Sequence, residues 1–392
     1  MFDRRQFGAL LLGGLAAPAA LAAKREAIAT PLILEDNRLW IAASIGSAKP
    51  MLFVVDTGAG HDYIRPEIAQ QLHLQVAGAA VARGLGKDAV QGTMYVAHNV
   101  LLGGTMMEQT VAFAGYEFGR GLADDAAGLM TAGLFTTRDS DIDFDRSEWR
   151  LWRDGKPDRE GLVALDSKIT GPGRSDLYSH RMFVQATLDG ASYRLLVDTG
   201  SPGTLLLGPR AAARSGLFAD DRPYAPAQTR GFGGNAARLS RRVRAGRFAM
   251  GPLTVERPLI TLMDPRQQSH GDDDHDGIIG LHWASLLNWS TDVEASRLWA
   301  ARNKRPEAPE SYLLSAVWLE RGDDGRARIA DVGFGSPAHQ AGLRAGDVIV
   351  SPAGIADAAK ALSGQPGKAV SLQVQSAGGA PRPANFTLQP YL

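Results

Sequence analysis

Short apolar runs alternate with polar positions along most of the chain and are broken by glycine-bearing turns. This period-two pattern predicts strands rather than helices. Two of the runs end in the same unusual way. Leu195-Leu196-Val197 leads straight into Asp198, and Phe53-Val54-Val55 leads straight into Asp56. A solitary carboxylate at the end of a buried strand is destabilising by several kcal/mol unless something compensates it. The repetition therefore calls for a chemical reason.

The surrounding pattern is repeated as well. Segments 40–60 (WIAASIGSAKPMLFVVDTGAG) and 182–203 (MFVQATLDGASYRLLVDTGSPG) each predict a strand, a turn at Gly46 or at Asp189-Gly190, and a second strand ending at the aspartate. Farther on, GLMTAGLF (128–135) matches GIIGLHWASLL (277–287), with Ala132-Gly133 set against Ile279-Gly280. Each unit closes with a strand that finishes Arg-Leu-Trp, at 150–152 and 297–299. The aspartates stand 142 positions apart, and the middle of the chain reads as a duplication.

Two copies of a one-aspartate unit predict a pseudo-twofold pair that brings Asp56 and Asp198 together. Two carboxylates in one site cannot both ionise, so one keeps a proton while the other can accept one. Such a pair can take a proton from a water and give one to the carbonyl oxygen that the water attacks. Gly58 and Gly200 let the backbone approach closely and offer amides to the carboxylates. Thr57 and Thr199 carry hydroxyls that can bond across to the opposite unit. Ser201 stands where the first copy has Ala59, and its hydroxyl is expected to donate to Asp198 and hold it as the charged partner.

Composition narrows the picture. A chain of 392 residues has room for two or three domains, and 45 glycines among short strand-like runs favour a mainly β protein. Lys+Arg and Asp+Glu balance at 42 each, so no global field recruits nucleic acid or an anionic membrane. The chain has no cysteine, which excludes disulfide and thiol chemistry. Residues 1–22 carry Arg4-Arg5, an apolar run from Ala9 and the small-residue Ala20-Leu21-Ala22, the marks of a twin-arginine-like export signal. No later apolar run approaches the ~20 residues of a membrane helix. The expected product is exported, to the periplasm or beyond the cell, with no stable membrane span once the signal is removed.

At these motifs the chain resembles the aspartic proteases of the pepsin and retropepsin superfamily, over about residues 28–303. The resemblance implies a mainly β, bilobal acid-protease fold with two retropepsin-like barrel lobes in one chain, at 28–153 and 160–303. It implies an aspartic endopeptidase with Asp56 and Asp198 as the catalytic dyad, supported by Thr57, Gly58, Thr199, Gly200 and Ser201. Its substrates would be proteins or peptides bound in extended form, and no cofactor or metal is called for. The family's flap would fall at Gly84, Leu85 and Gly86 in the first lobe and at Gly231, Phe232 and Gly233 in the second; plain connecting hairpins are the other reading of both segments. A non-catalytic peptide-binding or scaffolding protein on the same fold would be expected to have lost one aspartate, and both are present.

A charged, proline-containing linker at 302–310 precedes a third unit, 311–392. Its Ser336-Pro337-Ala338, Ala341-Gly342-Leu343 and Gly346-Asp347-Val348-Ile349 resemble the PDZ domains of bacterial exported proteases. That resemblance implies a groove that adds a peptide as a strand and recruits or positions substrate. The loop near 311–318 lacks the usual glycine, which leaves open a domain that only packs on the lobes. Two further clusters read as structural: HGDDDHDG (270–277) as a solvated loop rather than a metal site, and LSRRVRAGR (239–247) as a strand with arginines facing water.

Overall fold

The structure, a computed structural model, describes residues 27–82, 90–116, 125–152, 157–170, 179–231, 234–267 and 274–392. The export-signal segment, the flap candidates Gly84, Leu85, Gly86, Phe232 and Gly233, and residues 270–273 of the acidic cluster lie outside these. Among the described residues the chain is mainly β, and no helix is longer than the eight residues Ile355–Leu362.

In the first lobe, Arg38–Ile45 pairs with Met51–Asp56 on one side and with Val90–Leu102 on the other, so an eight-stranded sheet closes on itself. Ile41, Phe53, Val100 and Phe113 are fully buried inside it. The second lobe is built on a ten-stranded sheet. There Arg181–Leu188 turns into Ala191–Asp198 through Asp189 and Gly190, both at positive φ (50° and 82°), the tight hairpin that this dipeptide favours.

Each aspartate-bearing strand runs parallel to a later one: Met51–Asp56 beside Ala126–Thr131, and Ala191–Asp198 beside Gly277–Gly280. A parallel strand covered on both faces reads as a continuous apolar run, which is why Phe53-Val54-Val55 and Leu195-Leu196-Val197 show no alternation and are all buried. The register corrects one sequence expectation. Phe53 lies opposite Gly128 and Leu195 opposite Gly277, so Asp56 faces Thr131 and Asp198 faces Gly280. Thr131, not Gly133, is therefore the first lobe's counterpart of Gly280. The matched glycines are Gly128 and Gly277, where a Cβ would collide with the Tyr63 and Leu206 carbonyl oxygens of the next strand.

The strands that close each repeat join the lobes. A six-stranded sheet carries Ser140–Asp143 and Glu148–Trp152 from the first and Leu287–Asp292 and Arg297–Arg302 from the second, with Ile142 opposite Trp289 across the pseudo-twofold. Trp149 and Trp289 are buried there, and Thr291 accepts from the Ser140 amide at 3.0 Å.

Residues from 317 onward form a separate five-stranded antiparallel sheet with its own core of Ile329, Leu343, Ile349, Leu372 and Val374. Buried Asp347 ties its turns together, accepting from the Arg344 amide (3.1 Å), the Ser376 hydroxyl (2.6 Å) and Arg382 (3.2 Å). The unit is docked on the second lobe. Tyr224 donates to Asp331 (2.8 Å), Tyr391 donates to the Tyr224 carbonyl (2.9 Å), and Glu310 pairs with Arg244 and accepts from the Leu259 amide at 2.8 Å.

Candidate active site

The two Asp-Thr-Gly turns meet head to head. The Thr57 hydroxyl donates to the Val197 carbonyl (2.7 Å) and the Thr199 hydroxyl to the Val55 carbonyl (2.6 Å). Each threonine amide also donates to the other's hydroxyl, at 3.2 and 3.0 Å. Both side chains are buried, and the four bonds satisfy all their polar groups across the interface. The expected cross-lobe roles of Thr57 and Thr199 are thus the observed geometry.

That lock sets the carboxyls side by side. A Cβ on Gly58 would lie 2.5 Å from the Asp198 carboxyl carbon, and one on Gly200 would be still nearer that of Asp56. Neither glycine has a positive φ, so it is the opposing carboxyl, not the backbone conformation, that demands glycine. Asp56 accepts from the amides of Gly58 and Ala59, both at 3.0 Å; Asp198 accepts from those of Gly200 (2.9 Å) and Ser201 (3.2 Å).

Here the structure departs from the expectation for Ser201. The residue contributes its backbone amide, as Ala59 does, and its hydroxyl makes no bond to Asp198. The asymmetry has another source. Burial pushes both carboxyls above the ordinary range, leaving only an edge of each open to the cleft. Asp198 is driven well up, by burial first and then by the charge of Asp56. Asp56 rises by burial but is held back by the hydrogen bond from Asp198, the two amides and the positive charge of Arg38. The pair as a whole therefore keeps a proton above the ordinary carboxylate range.

A cleft of about 810 Å³ opens over the pair. The first lobe lines it with Ala59, His61, Tyr63, Val81 and Leu129, the second with Leu206, Thr261 and Ile278. Of the flap candidates, Gly231 lines the cleft, at a short hairpin in which Arg230–Gly231 pairs with Gly234–Asn235. In the first lobe the long hairpin of Gln75–Ala82 and Val90–Leu102 brings Val81 to the same opening.

Sequence reasoning missed a third carboxyl. Asp62 accepts from both the amide (2.7 Å) and the hydroxyl (2.9 Å) of Thr131, whose hydroxyl also meets that of Ser179. Ser179 in turn donates its amide to the Gly60 carbonyl (2.9 Å), fastening the interlobe segment to the Asp56 loop. Burial raises the Asp62 pKa against these bonds. The only signal in the sequence was a threonine where the second copy has glycine. In the acidic cluster, Asp274 contacts His275 (2.8 Å) and Arg181 (3.5 Å), while Asp276 pairs with Arg214 (3.0 Å) and accepts from the Arg194 amide (2.9 Å). Among the described residues no group of His, Asp and Glu is arranged to hold a metal.

No curated protein matches the sequence. Among solved structures, conglutin gamma, a basic 7S globulin from lupine seeds, is similar at 12% identity and TM-score 0.43, covering 71% of this chain and 96% of that one. Basic 7S globulin from soybean (12%, TM-score 0.41, 70% and 95%) and aspartic proteinase from Irpex lacteus (15%, TM-score 0.42, 71% and 98%) are similar to the same extent. The sequence matches the family described as aspartyl protease over residues 41–133 and again over 184–283, one match in each lobe, and the chain carries the two-lobed aspartic-protease fold.

Proposed function

We propose that the chain is an aspartic endopeptidase whose dyad is Asp56 and Asp198. The observation that carries this reading is the reciprocal lock of the two Asp-Thr-Gly turns, which holds two carboxyls and one shared proton at the floor of a cleft. Ionised Asp56 takes a proton from a water held between the carboxyls as its oxygen attacks the scissile carbonyl carbon. Asp198 gives its proton to the carbonyl oxygen. Collapse of the tetrahedral species breaks the C–N bond, and the amine leaves with a proton returned through the dyad. The proposal extends to the C-terminal unit as a PDZ domain that recruits or positions substrate, and to export directed by residues 1–22. The separate core of the C-terminal unit and its docking on the second lobe support the former.

Incubating the protein without residues 1–22 with a mixed peptide library across acid to neutral pH, beside Asp56→Asn, tests the catalytic reading. Cleavage by the native chain alone is expected. Peptides left intact by both, with folding verified, would contradict it.

A further inference from the structure

The arginine-rich strand Ser240–Arg244 does not face water as its alternation suggested. Arg241 stacks over Phe218 and Tyr224, 4.2 and 4.0 Å from the ring centres, and pairs with Asp220 at 2.7 Å. Arg244 pairs with Glu310. Arg242, on the opposite face of the strand from Arg241, lines the cleft.

Its place in the sheet relates it to the dyad. Arg242 lies opposite Thr261, Thr261 opposite Leu206, and Leu206 opposite Ile278, so the four form one row, and all four line the cleft. Their chain neighbours Val243, Ile260, Leu205 and Ile279 are buried on the other face. Ile278 stands two residues before Gly280, the neighbour of Asp198. Three strand spacings separate Ile278 from Arg242, about 14 Å, or roughly four residues of extended peptide.

Among the described residues that line the cleft, the charged side chains apart from the dyad are Arg181, Arg230 and Arg242, with no further carboxylate. Arg181 has Asp274 at 3.5 Å. Arg242 makes no ion pair among the described residues; one nitrogen donates to the Ser311 carbonyl at 2.5 Å, at the entry to the C-terminal unit. Burial alone lowers its pKa, the mark of a cation drawn out of water without a partner. A guanidinium held at one end presents its other N–H groups as a fork suited to a carboxylate.

We propose that this row is a specificity subsite, resting on the protease reading above, that selects an acidic side chain within about four residues of the scissile bond. Leu206 and Ile278 hold the methylene groups, and Arg242 takes the carboxylate. The cleft then favours acidic peptides and disfavours lysine at that position.

The test is a peptide series in which Glu, Gln and Lys are moved one position at a time around a cleaved bond, with kcat/KM measured for each. At one position Glu is expected to exceed Gln by about tenfold, the scale of a charge-assisted hydrogen bond. That ratio falls toward one in Arg242→Gln, stays above one in Arg242→Lys and inverts in favour of Lys in Arg242→Glu. In the native protein the ratio shrinks as salt is raised, a readout that needs no variant. The proposal is overturned if no position prefers Glu, or if the preference survives intact in folded Arg242→Gln. If no peptide is cleaved, the protease reading fails separately. Binding of the same fluorescent peptides then decides the inference: tighter binding of Glu than Gln sustains it, and equal affinity overturns it.

Discussion

The two lobes agree where the dyad is built and differ around it. Both place glycine three strand positions before the dyad neighbour, both lend a threonine to the opposite lobe, and both offer two consecutive amides to their own carboxyl. They part at Thr131 against Gly280. In the second lobe a Cβ at Gly280 would strike the carbonyls of Gly203 and Ser201. In the first, Thr131 has room for a side chain and uses it to satisfy Asp62. The shared elements are those a symmetric proton-sharing pair requires. Of the unshared ones, the Arg242 row of the second lobe lines the cleft, while the Asp62 network of the first stands behind it, beside the end of the Asp56 strand.

Breaking the shared part should have the largest effects. Asp56→Asn and Asp198→Asn are each expected to lower kcat by roughly 10³ or more, and the double variant little further, because the pair acts as one unit. Additive losses measured on a cleaved peptide would break the equivalence of the lobes.

Gly58→Ala and Gly200→Ala come next. Each drives a methyl group into the opposite carboxyl, so each should abolish activity and destabilise by about 1–3 kcal/mol, as read by denaturant unfolding. Thr57→Val and Thr199→Val should each be destabilising by about 1–3 kcal/mol, since each leaves a buried carbonyl and amide without their partner. Markedly unequal losses would show that one lobe carries the lock.

The Asp62 network should behave differently because it belongs to one lobe. Asp62→Ala is expected to be destabilising by about 1–3 kcal/mol, leaving the Thr131 amide unpaired and the Thr131 hydroxyl without its carboxylate acceptor. Asp62→Asn keeps an acceptor and removes a charge that burial disfavours, so it should change stability by less than about 1 kcal/mol near neutral pH. A loss as large as that of Asp62→Ala would mean the ionised carboxylate itself is required.

The smallest effect is on the pH dependence of stability. The folded dyad holds protons above the ordinary carboxylate range, so the stability it contributes is present below the unfolded value and is lost as pH rises through the folded one. Asp198→Asn removes the repulsion, and its melting temperature should gain on the native protein as pH rises above about 4, the ordinary carboxylate value, by about 2–4 °C for each kcal/mol relieved.

The duplication was legible because its signals are local. Asp-Thr-Gly after an apolar run, the Asp189-Gly190 turn and the two Arg-Leu-Trp endings each report a strand, a turn or a repeat on its own. What stood opposite each residue was not. Matching Gly133 to Gly280 by spelling gave way to a register fixed by the collisions at Gly128 and Gly277. Alternation along Ser240–Arg244 identified its two faces, but not that one lies on a cleft and the other under aromatic rings. Ser201 meets Asp198 through its backbone amide and not through its hydroxyl, a choice of group that the sequence does not report.

The most direct test of the shared proton is infrared difference spectroscopy of the free protein against Asp198→Asn and against Asp56→Asn, at about pH 5.5, above the ordinary carboxylate range. A protonated-carboxyl band present in the native protein and lost or shifted in both variants is the expected result. Two ionised carboxylates at that pH would contradict the account.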